Sequence, residues 1–408
     1  MNKAKWILPV IVLSQFCCTS LWFAGNAVMN DLASAFHLNN SALGHLTSAV
    51  QFGFIAGTLV FALLTIADRF SPSLVFFVSA MAGALFNLGT IIEGNDLTSL
   101  LTFRFLTGFF LAGIYPVGMK IAADYYQKGL GKSLGFLVGA LVVGTAFPHL
   151  LKEFTGELPW RLVLILTSSI AAFGGLLMLL LVPDGPYRKA SQKPDLSAIF
   201  TVFRNRNFRS AAFGYFGHMW ELYAFWAFVP VMLTTYMKLH PETEFNIPIL
   251  SFLIIGLGGL ACVLGGYISQ NQGTKKTAST ALIMSCACCL FSPFVFYIDS
   301  SLVIIGFLIF WGLVVIADSP LFSTLVAQNT KAESKGTALT IVNCIGFSIT
   351  IISIQLINIL SNTWNPRYIY MLLALGPVLG LLALYEKKPD NPTIAMQKIE
   401  LIDNMKRK

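Results

Sequence analysis

Charge is what this chain has least of. Only 11% of its 408 residues are Asp, Glu, Lys or Arg, against roughly 25% in soluble domains. With 56% hydrophobic residues, it cannot surround a globule with water-binding groups, so it is an integral membrane protein. Walker loops, dinucleotide fingerprints and zinc-ligand spacings are also missing. No cofactor, no metal and no enzymatic activity are therefore expected. Paired cysteine motifs are lacking too. The 7 cysteines lie inside apolar runs, and Cys286-Ala-Cys288-Cys289 has no His or second CxxC beside it. They read as small buried hydrophobes without disulfides. The net charge of +8 would suggest nucleic acid in a soluble protein. Here the basic residues sit in loops and tails, where membrane topology explains them, and no nucleic-acid partner is expected.

What the chain does have is long apolar runs. A helix needs about 20 apolar residues to cross the hydrocarbon layer, and twelve stretches qualify. In the first half they are 7–29, 43–66, 74–92, 97–121, 134–151 and 162–182; in the second, 211–236, 249–268, 277–297, 302–327, 337–360 and 368–385. The first continues past the usual length of a signal core and reads as a retained span. Between the two sets lies a polar seam rich in Arg188, Lys189, Lys193, Arg204, Arg206 and Arg209. The expected organisation is a six-helix bundle over 1–182, a cytoplasmic linker over 183–209, a second six-helix bundle over 210–386 and a cytoplasmic tail over 387–408.

Charge alternation agrees with that count. Lys3, Lys5, Arg69, Lys128, Lys132, the seam, Lys275, Lys276, Lys331, Lys335 and the tail fall on one side. The loops 31–42, 93–96 and 299–301 carry no Lys or Arg, and only Lys152, Arg161, Lys238 and Arg367 are basic on that side. The positive-inside rule then puts both termini in the cytoplasm of a multi-pass protein of the cell inner membrane. The halves also repeat. Lys128 and Lys331 are 203 residues apart (331 − 128), as are Lys132 and Lys335 (335 − 132). The same offset sets Tyr115-Pro116-Val117 against Asp318-Ser319-Pro320, and Gln15 against His218. Duplication of this kind is the architecture of transporters that rock about a central site.

At this point the residues resemble a family. Twelve spans as six plus six, a basic central loop, Asp68-Arg69 after span 2 and Arg104-Phe-Leu-Thr-Gly108 in span 4 are similar to the major facilitator superfamily. The loop motif is half present, because Phe70-Ser71-Pro72-Ser73 follows Asp68-Arg69 where the family has Gly-Arg/Lys. Gly135, Gly139, Gly144 and Pro148 resemble a loosened form of the span 5 glycine-rich motif of its antiporters. The resemblance implies an all-α membrane fold of twelve transmembrane helices in two six-helix bundles related by pseudo-two-fold symmetry. It also implies gating roles for Asp68, Arg69 and Pro148.

Ionisable groups in hydrocarbon are costly, about 2.5–3.5 kcal/mol on insertion scales, so each one needs a reason. Arg104 shares a helix face with Gly108, Leu111 and Tyr115 by three- and four-residue steps. It can hold an anionic cargo or face a carboxylate, or brace a helix end. Span 7 holds the densest cluster: Tyr215, His218 and Glu221 at three-residue spacing, with Tyr223 and Trp226 on adjacent faces. A His–Glu pair one turn apart can share a proton; a self-satisfied polar knot is the alternative. Asp318, beside Pro320, is a hinge or an ion ligand, or else a wetted structural residue near the cytoplasmic end of its span. Lys120 and Asp124 read as a solvated helix end and His149 as a gate or interface residue. Gln15, Asn26, Asn30, Gln51, Asn343, Gln355 and Asn358 are candidate hydrogen-bonders, about half of them merely bridging helices. Trp22, Trp220, Trp226 and Trp311 lie deep enough to stack on a cargo.

The expected function is secondary active transport of a small organic solute, an anion or carboxylate, by proton-coupled alternating access. The candidate cargo residues are Gln15, Trp22, Arg104, Tyr115, Tyr215, His218, Tyr223, Trp226, Trp311 and Asn343; His218, Glu221 and Asp318 are the candidate proton carriers. Efflux of amphipathic cationic compounds is the alternative, and a receptor or lipid-handling protein the reading outside transport. The expected partners are the cargo, protons and the lipid bilayer, with the chain acting as a monomer.

Overall fold

The computed structural model describes residues 4–39, 41–126, 130–156, 158–188, 202–331 and 335–385. Most of the seam (189–201), the tail (386–408) and Lys128 lie outside these described residues, so the expectations placed on them stay as stated above. Ten helices are long and apolar enough to cross a membrane, and two shorter apolar helices, Trp6–Thr19 and Ile369–Leu384, flank them. In chain order the twelve are span 1 (Trp6–Thr19), span 2 (Ala42–Leu63), span 3 (Pro72–Gly89), span 4 (Leu97–Tyr125), span 5 (Ser133–Thr155), span 6 (Arg161–Leu181), span 7 (Arg206–Leu239), span 8 (Ile247–Gln272), span 9 (Thr274–Val295), span 10 (Ser301–Gln328), span 11 (Lys335–Ser361) and span 12 (Ile369–Leu384).

Packing follows the duplication. In the first half, span 2 packs on span 4, span 3 on spans 4 and 6, and span 1 on spans 5 and 6. The second half repeats these pairs six spans on: 8 on 10, 9 on 10 and 12, and 7 on 11 and 12. The halves meet through spans 2 and 11 and spans 5 and 8, a pairing with the same two-fold relation. Small residues allow this closeness, since lipid tails give apolar side chains no reason to seek one another. Gly53 of span 2 lies on the backbone of Phe105, and Gly108 of span 4 on that of Val50. Across the halves, Gly139 and Gly259 each face the other's carbonyl.

Four spans that read as continuous runs are broken, span 8 briefly at Leu257 between Ile247–Gly256 and Gly258–Gln272. Span 4 stops at Leu111 and resumes at Tyr115, with Pro116 in the first turn of the new helix; span 10 stops at Ala317 and resumes at Ser319, with Pro320 in the same place. Proline has no N–H and crowds the carbonyl four residues back, so each break falls just ahead of it. The helices resume at Tyr115 and Ser319, 204 residues apart (319 − 115), within one residue of the repeat offset. Span 1, expected over 7–29, ends at Thr19. After Ser20–Phe23 it resumes only as the short helices Ala24–Ala27 and Met29–Ala35.

The two faces differ. On the face bearing the 31–42 loop, two of the four basic residues are matched by acids: Lys152 to Asp31 at 2.8 Å and Arg161 to Glu93 at 3.2 Å. There the Asp96 carboxylate caps span 4 by accepting from the Ser99 N–H at 2.8 Å, which holds it below the usual carboxylate range. This face is also where the halves lock together. The Gln355 amide donates to Gly44 O at 3.0 Å and to Ser48 Oγ at 2.8 Å, the Asn358 amide to Ser41 O at 3.1 Å, and the Asn246 amide to Glu153 at 2.7 Å. Gln355 and Asn358 are thus bridging residues. The opposite face, reached by the linker, carries a cleft between spans 5, 8 and 10.

Candidate functional site

The break in span 1 leaves carbonyls without helical partners, and Arg104 takes them. Its guanidinium donates to Trp22 O at 2.5 Å, to Leu21 O at 3.2 Å and to Asn87 Oδ1 at 3.2 Å, with 2% of the residue exposed. Asn87 in turn donates to Ser168 Oγ at 3.0 Å. Span 4 therefore fixes the irregular segment of span 1 through its only buried cation. The face expected to join Arg104 to Tyr115 is interrupted, since the helix stops at Leu111.

That segment presents Trp22 to the opposite half. Its ring stacks on Tyr223 at 5.7 Å and Phe347 at 5.8 Å, and leans on Phe54 at 4.9 Å. Trp226 meets Phe23 edge-on at 6.3 Å and Tyr223 at 5.3 Å. Rings from spans 1, 2, 7 and 11 thus form one cluster across the seam between halves. The indole Nε1 atoms of Trp22 and Trp226 are buried in it without hydrogen-bond partners, as are both amide atoms of Gln51 on span 2.

The second half holds the ionisable groups. Glu221 is fully buried, and both oxygens accept hydrogen bonds: Oε1 from the Trp311 indole at 2.6 Å and Oε2 from Ser285 Oγ at 2.8 Å. His218 does not pair with Glu221. Its Nδ1 lies 2.8 Å from Asp318 Oδ1, an ion-pair separation rather than an aligned hydrogen bond, with both side chains 1% exposed. Three-residue spacing set His218 and Glu221 near one face of span 7, but spans 9 and 10 divide them. Asp318 sits at the break in span 10, buried in the helix core rather than wetted at an end.

The remaining expected residues are dispersed. Tyr215 lies 6.0 Å from His218 and fits against Gly346; Tyr115 is half-buried at the span 4 break. Gln15 is buried beside Gly118 with its amide unpaired, and Asn343 is half-buried on span 11. Pro148 is buried within an unbroken span 5. Asp68 and Arg69 stand apart, on the linker face: Asp68 pairs with Lys120 at 2.7 Å, and Arg69 Nε donates to Thr65 Oγ1 at 3.1 Å. Lys120 also stands 3.9 Å from Asp124, and Arg188 pairs with Asp184 while donating to Asp68 O at 3.0 Å and Phe70 O at 2.7 Å. Lys120 and Asp124, expected to form a solvated helix end, are instead tied into this network. The partners Asn87, Ser285, Cys262, Phe54 and Phe347 carried no signal of their own in the sequence, being single polar, small or aromatic residues in apolar runs.

Comparison with known proteins agrees with this arrangement. Residues 11–354, from within span 1 to within span 11, match the Major Facilitator Superfamily. A 4-hydroxybenzoate transporter from Acinetobacter baylyi is 30% identical over 180 residues, 40% of this chain and 39% of that protein. A 3-(3-hydroxy-phenyl)propionate transporter from Escherichia coli is 27% identical over 161 residues, 39% of this chain and 38% of that protein. Solute carrier family 22 member 1 from Oryctolagus cuniculus is 30% identical over 156 residues, 37% of this chain and 26% of that protein. The chain thus spans about two fifths or less of the curated relatives it matches. Among solved structures, a bacterial homolog to the human lysosomal transporter Spinster, in an inward-facing and unoccupied conformation, aligns with a TM-score of 0.67 at 14% identity, covering 94% of this chain and 95% of that one. The chain belongs to the Major Facilitator Superfamily and is a multi-pass membrane protein.

Proposed function

We propose that the cargo is a small hydroxylated aromatic carboxylate, moved by proton-coupled alternating access across the cell inner membrane. The observation that carries this reading is the seam cluster, where the Trp22 and Trp226 indoles are buried with unpaired N–H donors. An aromatic face offers stacking, and an unpaired indole N–H offers a hydrogen bond to a carboxylate or phenol. The names of the Acinetobacter and Escherichia relatives point to the same chemistry, a phenol ring bearing a carboxyl arm. As the halves part, the cargo ring takes a place between Trp22 and Tyr223. Arg104 contributes by holding the Trp22 carbonyl, and Gln51, buried with both amide atoms unpaired, supplies a further amide.

Protons are carried by the second half. Glu221 and the His218–Asp318 pair sit on spans 7 and 10, next to the aromatic cluster and away from lipid. Buried ionisable groups of this kind mark proton relays. Both Glu221 oxygens are already engaged with Trp311 and Ser285, which disfavours Glu221 as the partner of a cationic cargo. The bundles 1–182 and 210–386 rock about the site as a monomer, with Asp68, Arg69 and Pro148 on the moving contacts and both termini cytoplasmic.

The test is thermal stabilisation of the purified protein by 4-hydroxybenzoate and 3-(3-hydroxyphenyl)propionate, with succinate and tyramine as comparisons. A ligand at 100 times its Kd stabilises by about 2.7 kcal/mol. Stabilisation by the two aromatic acids alone supports the reading; stabilisation by tyramine alone overturns it. Glu221→Gln should retain this binding while losing proton-driven accumulation in vesicles. Normal accumulation by that variant would remove Glu221 from coupling.

A further inference from the structure

The cleft on the linker face lies against the break in span 10. It has a volume of about 210 Å³ and is lined by Gly135 of span 5, Gly266 of span 8 and Pro320, Leu321 and Thr324 of span 10, with exposed Gln270 at its mouth. Its floor is Cys262. The Cys262 thiol donates to Ile316 O at 3.5 Å. This is the carbonyl that Pro320, lacking an N–H, leaves without its usual helical partner. One turn on, Gly265 brings the span 8 backbone directly onto the break, where an added Cβ would stand 2.9 Å from Ala317 O.

Behind this floor sits the His218–Asp318 pair. Asp318 lies between Ala317 and Ser319, two residues before the cleft-lining Pro320, and is fully buried. Apart from its 2.8 Å approach to the Asp318 carboxylate, His218 makes no polar contact; Asp318 Oδ2 and His218 Nε2 are buried without partners. Phe322, in the first turn after the break, covers the imidazole at 6.3 Å. The titratable groups facing the pair are Glu221 and Tyr215 from span 7 and Cys262 from span 8, with Tyr115 of span 4 facing Cys262.

We infer that the cleft is the route by which the His218–Asp318 pair exchanges protons with the linker face, and that Cys262 is the plug that sets the rate. The inference rests on the proton-coupling reading above. The step is a simple transfer: a proton leaves the protonated Asp318 carboxyl for a water molecule entering past Cys262. That forms hydronium in the cleft and leaves the electron pair on the carboxylate beside His218. The return transfer runs the same way in reverse. Cys262 acts by size, since its thiol fills the space between the cleft and Ile316 O.

The experiment records proton uptake or release by the purified full-length protein when 4-hydroxybenzoate is added in weak buffer, by stopped flow with a pH-sensitive dye. Cys262→Ala should speed the proton phase and Cys262→Leu should slow it, each by about tenfold, because a core notices the gain or loss of a single methylene. Cys262→Ser, with the same size and a donor for Ile316 O, should stay close to wild type. If Cys262→Leu does not fold, the alanine arm decides. A wild-type protein that binds the acid without any proton phase overturns the coupling reading and this inference with it. A wild-type proton phase whose rate is unchanged in Cys262→Ala overturns the cleft as its route and leaves coupling intact.

Discussion

Replacing Arg104 by lysine keeps the positive charge and removes the fork that holds span 1. The guanidinium makes three hydrogen bonds, at 2.5, 3.2 and 3.2 Å, to Trp22 O, Leu21 O and Asn87 Oδ1. Hydrogen bonds from a charged donor contribute about 1.5–3 kcal/mol each. A lysine ammonium is a compact charge without the planar fork and keeps one of them. The gross loss is then about 3–6 kcal/mol, and because both bonds lost are long, the lower end applies, about 3 kcal/mol. Arg104→Met should cost more, leaving three buried acceptors unpaired. Denaturant titration of purified protein, followed by tryptophan fluorescence, measures both. Combining Arg104→Met with Asn87→Ala should cost less than the two separately, by about 1–2 kcal/mol, since they share one bond. Binding of 4-hydroxybenzoate should weaken in the lysine variant only as far as Trp22 loosens. An unfolding midpoint unchanged in Arg104→Lys, with affinity for the acid reduced tenfold or more, would refute the reasoning and put the guanidinium on the cargo.

Trp22→Ala removes two stacked partners, Tyr223 and Phe347. At about 0.5–1.5 kcal/mol per aromatic pair, acid binding by titration calorimetry should weaken about tenfold; Trp22→Phe should recover part of this, and equal affinity in all three proteins would exclude the stack from the site. Gln355→Ala with Asn358→Ala deletes three hydrogen bonds to Ser41, Gly44 and Ser48. It should favour opening at the 31–42 face by about 1.5–4 kcal/mol, read as faster maleimide labelling of a cysteine placed at Ala42, which is buried there; unchanged labelling would mean those bonds do not hold the halves shut.

The sequence carried the count of spans, their division into two sets and the repeat offset, because run length and loop charge are linear properties of a membrane chain. The breaks were legible only in part. Pro116 and Pro320 mark those in spans 4 and 10, whereas span 1 stops at Thr19 with no proline to announce it. What ends it is Arg104, arriving from 82 residues away in the chain to take the Trp22 carbonyl. Helical spacing likewise placed His218 and Glu221 near one face but could not say what stands opposite. Asp318 and Trp311 come from a different span and part the two residues. The ion network of Lys120, Asp68, Asp124 and Arg188 was hidden for the same reason: its members lie in three separate loops and helix ends.

The two halves use one inherited geometry for different ends. Tyr115 begins its half-helix and Asp318, 203 residues on, is the N-cap of the other, and Gln15 and His218 lie on spans 1 and 7 at the same offset. In the first half, the pair at the break is a phenol and an amide, neither of which changes charge near neutral pH. The position equivalent to Arg104 is Phe307, which packs on Trp311 at 5.7 Å instead of binding carbonyls. The first half therefore carries a permanent cation that fixes its own backbone, while the second carries three groups able to gain or lose protons. A protonation change can then alter one bundle without loosening the other. This is the asymmetry a rocking pair needs if the proton is to bias the motion rather than unfold the site.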